Sequence, residues 1–489
     1  MSAALRLSPS RLRFLDSGRF FPWATILATG PALALLPLSW IVIAVPAMVV
    51  VGAISIRPQL ALYLLCFAVP FGSLLEVDLG GITVGITEGL IGLLMISWIA
   101  RSIALKEIAL KEGARTRSRP SGPLLMFIGA TLLSLPNATS LPLAFKEIAK
   151  WVEFLGVMLF ASNAIATRQS RTVVACLLLA GVAQSIWGAY QFFTRSGPEF
   201  FMFMGRFMRA YGTFEQPNPY GGYLGLIAPL ALALAPSLFR RSFSLPGRSA
   251  NRPIPGWLRW LALGSFAVIS VAIGMSGSRG AWMGFGAAFA AVNLASSRKG
   301  AIVFAALVLL IASIGMVGGF RLLPESIVQR LTNFVPLIGV RDIRSIEVTD
   351  TNYASLERLA FWQAALDMWG DHPWLGVGFG NYQVAYADYA LPKWREGLGH
   401  AHNYYLNVAA ETGLIGLVSY LVLWGAALWQ TAKAVRRSSD FYTKALALGA
   451  LGILVHVSVH NIVDNLWVHN LYIQVAIVLG MVQRSPQTG

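Results

Sequence analysis

Apolar residues run along this chain in long unbroken stretches separated by short polar connections, many of which carry lysine or arginine. About fourteen stretches approach the roughly 20 residues a helix needs to cross hydrocarbon. They lie near 22–37, 38–56, 58–76, 83–102, 122–137, 148–167, 171–194, 218–238, 256–275, 280–296, 300–319, 404–430, 442–462 and 466–484. They are continuously apolar and rich in Leu, Ala and Gly instead of alternating. Each therefore satisfies its own backbone as a helix, and a closed barrel of short strands does not fit. The expected fold class is all-α: a polytopic integral membrane protein with about 12–14 transmembrane helices and one large polar segment.

Lysine and arginine in short connections stay with the cytoplasm. Basic clusters occur at Arg6, Arg11, Arg13 and Arg19, from Arg101 to Arg119, at Arg168 and Arg171, at Arg240, Arg241, Arg248 and Arg252, at Arg298 and Lys299, and at Lys433, Arg436 and Arg437. With fourteen crossings all of these share one side. The opposite side then receives 195–217, 276–279 and the long polar segment 320–403, which holds seven Lys/Arg against nine Asp/Glu. The expected division is an N-terminal bundle over 1–319 with about eleven helices, a large extracytoplasmic loop over 320–403, and C-terminal helices over 404–489. The amino end reads as a retained signal anchor: its basic stretch and apolar run lack a small-residue cleavage site.

The 489 residues are 56% hydrophobic and 12% charged, which excludes an ordinary soluble domain. The net charge of +16 belongs mainly to the cytoplasmic connections, so it reads as topology and not as a nucleic-acid surface. Cys66 and Cys176 both fall inside apolar stretches, away from any disulfide framework. There is no phosphate-cradling glycine loop in the sequence, which disfavours an ATP-driven pump.

Three stretches on the far side can carry chemistry. Gly205 to Gly222 holds Arg206, Arg209 and Asn218 among turn residues just before a helix. A guanidinium stays charged and offers a fork that matches phosphate oxygens, although an arginine there can also snorkel to lipid headgroups. Ser276-Gly277-Ser278-Arg279-Gly280-Ala281-Trp282 puts a second arginine among small residues that permit close approach, with interface anchoring as its bland reading. His400-Ala401-His402-Asn403-Tyr404 ends the long segment at a helix start, where a histidine can accept a proton near neutral pH. Taken singly, such a histidine is more often structural. The His-x-His spacing also admits a metal, but no matching cluster is apparent in the sequence and no metal is assigned.

The third stretch resembles the O-antigen ligase and O-antigen polymerase-like family of membrane glycosyltransferases. The ligase motif of that family is His, then Asn, Ser or Gln, nine residues, Gly, two residues, then Gly, Thr or Tyr. His402-Asn403, nine residues to Thr412, Gly413 and Gly416 fit it. The same order holds Arg209 with Pro217-Asn218-Pro219, Ser278-Arg279-Gly280-Ala281, Trp362, and His372-Pro373-Trp374-Leu375-Gly376-Val377-Gly378-Phe379-Gly380. Gln216 stands where Asn is common, and family members more often have fewer helices.

The resemblance implies a type C glycosyltransferase-like fold at the bacterial cytoplasmic (inner) membrane. It implies a glycan donor carried on undecaprenyl diphosphate and transfer at the outer face to a hydroxyl of a lipid or glycan acceptor, lipid A core included, without metal or other cofactor. By carry-over Arg209 and Arg279 hold the diphosphate and His402 takes the proton of the attacking hydroxyl. Arg206, Arg358, Asn218, Asn403 and Tyr404 are expected substrate contacts. Membrane lipids are partners and nucleic acid is not. The alternatives are a polymerase of the same family, or a secondary transporter, which would place its charges near the bilayer midplane.

Two further clusters stay open. Lys146, Glu147, Lys150 and Glu153 recur at helical spacing and either guide phosphate or pair internally. His456, His460, Asp464 and His469 flank the last outside turn and form either a proton path or interhelical hydrogen bonds with Asn461.

Overall fold

In a computed structural model of the chain, described over residues 38–74, 76–79, 82–104, 121–203, 205–235, 254–316, 328, 342–344, 346–349, 352–438 and 440–483, the fold is all-α. The apolar stretch 22–37, the clusters from Arg6 to Arg19 and from Arg240 to Arg252, the basic residues 106–119 and part of the long segment lie outside the described residues.

The chain divides into two compact units. Met1–Ala68 with Glu76–Arg117 contains α1 (Leu38–Ile56), most of α2 (Gln59–Phe71), the hairpin of β1 (Glu76–Leu79) and β2 (Ile82–Gly85), and α3 (Ile86–Ala104). Here α1 packs on α3, and the strands pair antiparallel from Glu76 opposite Gly85 to Leu79 opposite Ile82. The second unit, Val69–Leu75 with Ser118–Gly489, holds α4 (Ser121–Leu133), α5 (Leu141–Ala164), α6 (Thr167–Thr194), a second hairpin of β3 (Met202–Phe203) and β4 (Phe207–Met208), α7 (Pro217–Leu234), α8 (Gly256–Ser276), α9 (Arg279–Ser296), α10 (Arg298–Met316), α11 (Tyr353–Asp371), α12 (Tyr382–Tyr389), α13 (Tyr404–Arg437), α14 (Phe441–His460) and α15 (Leu471–Val482). Neither hairpin is foreshadowed by the hydropathy pattern.

Five described helices, α3, α6, α8, α13 and α14, are long and apolar enough to cross a membrane, and shorter apolar helices accompany them. Large apolar side chains stand exposed on them, among them Ile96, Ile103, Trp260, Val271 and Trp429. Lipid tails tolerate such a surface where water would not. The centre of the second unit is α7. It is apolar on every face and buried over nearly its whole length, as expected of a helix surrounded by others. α6, α8, α9, α14 and α15 all pack on it.

Helix starts follow local chemistry. The Ser278 hydroxyl caps α9 at Ala281 N, the Asn403 side chain caps α13 at Leu406 N, and the Asp440 carboxylate caps α14 at Thr443 N. α5 begins at Leu141, ahead of the predicted 148, because Pro142 suits a first turn and the charges that discouraged an apolar reading are satisfied. Lys150 pairs with Glu147, and Glu153 accepts from the Tyr472 hydroxyl. α15 begins at Leu471 and not at 466. The preceding residues form a polar turn, tied by Leu466 N to Asn461 Oδ1 and by Asn465 N to Asp464 Oδ1.

The glycines of the His402 motif have a structural task. α13 opens at Gly413, where φ is 62° and ψ is −162°. The exposed backbone groups go to the 373–378 loop: Val377 N donates to Ala410 O at 2.9 Å, Gly378 N to Glu411 O at 3.0 Å, and Leu414 N to Pro373 O at 2.8 Å. A Cβ at Gly413 would strike the Trp374 carbonyl, and one at Gly376 the backbone of Glu411 and Thr412. The backbone conformation of Gly413, essentially reserved for glycine, costs any other residue of order 1–3 kcal/mol. Gly413→Ala is therefore expected to lower the thermal unfolding midpoint in detergent well below that of Gly286→Ala, whose added methyl meets open space; equal midpoints would refute this account of the motif.

Candidate active site

The starts of α7, α9 and α13 and the ends of α8 and α14 meet at one end of the second unit. Ala210 N donates to Met275 O at 3.0 Å, joining the loop before α7 to the end of α8. Tyr404 N donates to Asn461 O at 2.8 Å, joining the start of α13 to the end of α14. Gly280 packs on the His460 ring, joining the start of α9 to the same place.

Arg209 lies across the turn between α8 and α9. Its Nε donates to Ser276 O at 2.9 Å and its Nη2 to Asn218 Oδ1 at 3.2 Å, while Gly277 leaves room for the guanidinium beside the backbone. Arg279 follows two residues later as the first residue of α9, with Nη1 and Nη2 each 3.5 Å from Ser355 Oγ on α11. The two guanidiniums and Asn218 are thus gathered around one turn.

His402 is built differently. Its φ of 49° is uncommon for a residue with a Cβ, the kind of local strain that persists only where surroundings impose it. The imposing contacts are its backbone N donating to His400 Nδ1 at 3.1 Å, Trp362 Nε1 donating to its carbonyl at 3.3 Å, and the Asn403 cap that follows. Its Nδ1 lies 3.1 Å from Asp464 Oδ1, with only 14% and 8% of the two side chains exposed. A carboxylate at that distance makes Nδ1 the donor and leaves the Nε2 lone pair as the acceptor. His460 Nε2 stands 3.9 Å from the other oxygen of Asp464.

α11 ties the two halves together. Ser355, facing Arg279, and Trp362, facing His402, are seven residues apart, two helical turns along one face, and Arg358 falls between them. The Arg358 charge acts on Glu357, His400 and Asp464.

Burial alone would raise the Asp464 carboxyl, but its hydrogen bonds with His402 and His460, helped by the charges of His402 and Arg358, hold it well below the usual carboxylate range. Burial pushes the His400 imidazole down to about 3; the His402 charge works the same way, Asp464 opposes it, and Arg358 and Lys150 add to the depression. Near neutral pH Asp464 is therefore an anion and His400 a neutral ring. Burial raises Glu357 against the opposing charges of His402 and Arg358.

The remaining expected residues are placed less centrally. Arg206 is exposed on the β3–β4 hairpin with its guanidinium over the Phe207 ring at 5.4 Å. The Asn403 side-chain oxygen is spent on the helix cap. Tyr404 is 4% exposed, with Tyr420 and Trp467 at 5.1 and 5.9 Å, so its ring belongs to the core and is not available to stack on a sugar. The residue the sequence underrated is Asp464. Its signal was a position four residues after His460 in an outside turn, but 62 residues separate it from its partner.

Behind Asp464, His460 and His456 lie fully buried on α14 with ring centroids 5.5 Å apart. They occupy space left by glycines of two other helices. A Cβ at Gly225 on α7 would fall on the His456 ring, one at Gly284 on α9 would come within 2.6 Å of His456 Nδ1, and one at Gly280 within 2.7 Å of His460 Cδ2.

The site thus defines an all-α, multi-pass membrane protein with two guanidiniums and a carboxylate-paired histidine at one end of its bundle. Residues 264–421 match the model of the O-antigen ligase family. An O-antigen ligase of Pseudomonas aeruginosa is 30% identical over 205 residues, which cover 41% of this chain and 42% of that relative. The chain thus spans about two fifths of the length of the curated relative it matches. Over the matched region the chain is similar to the O-antigen ligase family, the family its motifs resemble. That region includes Arg279, Arg358 and His402; Arg209 precedes it and Asp464 follows it.

The glycine cradle yields a test of packing. Gly225→Ala is expected to destabilise the protein markedly, whereas the double variant Gly225→Ala/His456→Ala recovers much of that loss, because the methyl then fills space the ring vacates. Additive changes in unfolding midpoint across the double-mutant cycle would rule out the contact.

Proposed function

We propose that the protein transfers a glycan from undecaprenyl diphosphate to an acceptor hydroxyl at the outer face of the bacterial inner membrane, as an O-antigen ligase-like enzyme, with lipid A core as the favoured acceptor. The reading rests on the family match over 264–421 and on one observation above others: the 3.1 Å pairing of His402 with Asp464 at the same end of the bundle as Arg209 and Arg279.

In this reading the two guanidiniums, with Arg358 contributing charge nearby, bind the diphosphate and stabilise the negative charge that grows on it as the anomeric C–O bond breaks. Nε2 of His402 accepts the proton of the attacking hydroxyl as the new glycosidic bond forms. Asp464 holds the ring in the correct tautomer and stabilises the imidazolium that results. Direct displacement inverts the anomeric centre. A diphosphate leaves readily once its charge is held, whereas a sugar hydroxyl is a poor nucleophile, so two cations and one base are the chemistry the reaction asks for. The division into 1–319, 320–403 and 404–489, with the middle segment over the site, belongs to the same proposal. A transporter reading gains no support, since the candidate groups gather at helix ends and not at mid-span.

The test is glycan transfer in a strain lacking its own ligase, at matched membrane expression. Arg209→Ala and Arg279→Ala are each expected to lower transfer about 10²–10³-fold, and His402→Ala about 10²–10⁴-fold. Asp464→Asn, which preserves shape and removes charge, should cost about 10²-fold or more. Undiminished transfer by His402→Ala would remove the base assignment, and transfer to a growing repeat-unit chain in place of lipid A core would make the protein a polymerase.

A further inference from the structure

The His402–Asp464 pair has a third neighbour that the proposed reaction does not use. His400, His402 and Asp464 each offer a ligand atom, and these three atoms all lie within 4.8 Å of one another. The His400 and His402 rings are 4.3 Å apart between centroids. Two imidazoles and a carboxylate form a donor set suited to zinc and its neighbours in the first transition row, and three protein ligands with one position left to water is a common arrangement.

We propose that this cluster is a transition-metal site, of which Zn²⁺ is the expected occupant, and that the metal inhibits transfer by engaging His402. The inhibitory consequence rests on the transferase reading; the binding does not.

The geometry needs little adjustment. Ligands on one tetrahedral zinc sit about 3.4 Å apart, given metal–ligand bonds of about 2.0–2.2 Å. His402 Nδ1 and Asp464 Oδ1 already stand at 3.1 Å. His400 must close by at most about 1.4 Å, and it follows Gly399, which has a φ of 89° and open space where a Cβ would stand. The metal replaces the proton shared by His402 Nδ1 and Asp464 Oδ1 and displaces the 3.1 Å hydrogen bond from His402 N to His400 Nδ1. A neutral imidazole bound through Nδ1 carries its proton on Nε2. The displaced Nδ1 proton therefore reappears on Nε2, and His402 presents a donor where the acceptor hydroxyl needs a lone pair. The charges of Arg358 and Lys150, both felt at His400, oppose a dication and keep binding reversible.

His400 separates the two roles, since its ring is the cluster member that the proposed reaction does not use as base or phosphate ligand, although it also accepts from the His402 backbone N. The experiment uses Co²⁺ as a spectroscopic probe on the purified full chain in detergent, with wild type, His400→Ala and the bulkier His400→Gln compared at matched unfolding midpoints. Wild type is expected to develop the visible absorption of four-coordinate Co²⁺ at one ion per chain, removable by Zn²⁺, and both variants to bind at least tenfold more weakly. In the transfer assay each variant is compared with its own metal-free rate, because His400 also steadies the His402 backbone, and both should need at least tenfold more Zn²⁺ for half inhibition. Absence of the cobalt band in wild type, or equal affinity in all three proteins, overturns the metal site while leaving the transferase reading intact. A His400-dependent band in a protein that transfers no glycan to any acceptor upholds the site and removes the transferase reading. Binding with no effect on an active enzyme overturns the inhibitory role.

Discussion

How closely α7, α9 and α14 can approach one another determines the rest of this end of the bundle. Inside a membrane no hydrophobic force presses helices together, because lipid tails are as apolar as leucine. Association rests on packing and on polar contacts between helices. Here glycines at 222 and 225 on α7 and at 280 and 284 on α9 open a cradle, and His456 and His460 of α14 fill it. Two imidazoles are an unusual filling for such a space, since buried polar groups are costly without partners. Their position explains the choice. Their rings lie edge to face along the helix, and His460 gives the Asp464 carboxylate a second neighbour beside His402.

The carboxylate in turn decides what His402 can do. A lone histidine in a loop can rotate, exchange tautomers and pick up a proton from solution. Paired at 3.1 Å with a carboxylate held in its charged form, and fixed through its own backbone by Trp362 and His400, the ring has one orientation and one free lone pair. α11 makes this relevant to the arginines. A loop between 350 and 371 would leave Arg279 and His402 uncoordinated, whereas a helix carries Ser355, Arg358 and Trp362 at fixed spacing. The described part of the polar segment that carries α11 is therefore a strut between Arg279 and His402.

Most of this architecture could be read from the chain. Long apolar runs with basic connections dictate helices wherever water is excluded, and the predicted spans agree with α1 to α10 and α13 to α15 to within several residues. The errors have local causes. α5 starts early because its charges are satisfied by one another and by Tyr472, a residue more than 300 positions away, and hydropathy weighs each residue alone. The hairpins 76–85 and 202–208 are too short to leave a periodic signal. At the site, Arg209, Arg279 and His402 stood out as candidates in the sequence because arginine and histidine beside turn residues at a helix start offer charge and a titratable ring where chain and membrane meet. The partnership of His402 with Asp464 did not, because it depends on α13 and α14 closing against each other at Tyr404 and Asn461. The inward packing of Tyr404 against Tyr420 and Trp467 is equally hidden in the sequence, since proximity to His402 says nothing about which side of the helix its ring turns to.

The glycine-rich loop from 372 to 380 shows how a motif can hold a cluster of side chains in place without touching it. Its backbone accepts and donates the hydrogen bonds that α13 gives up at Gly413, so the helix can bend there without leaving polar groups unpaired in a low-dielectric setting. Asn137 Nδ2 donates to Gly376 O and Asn381 Oδ1 accepts from Ser140 N, which fastens the same loop to the start of α5. The loop also follows directly from α11. Any slack in it would let α11 slide along the bundle, and Ser355 and Trp362 would lose Arg279 and His402 together. Spacing between Arg279 and His402 is thus set by backbone contacts remote from both, and for that reason Gly413 belongs to the motif that His402 begins.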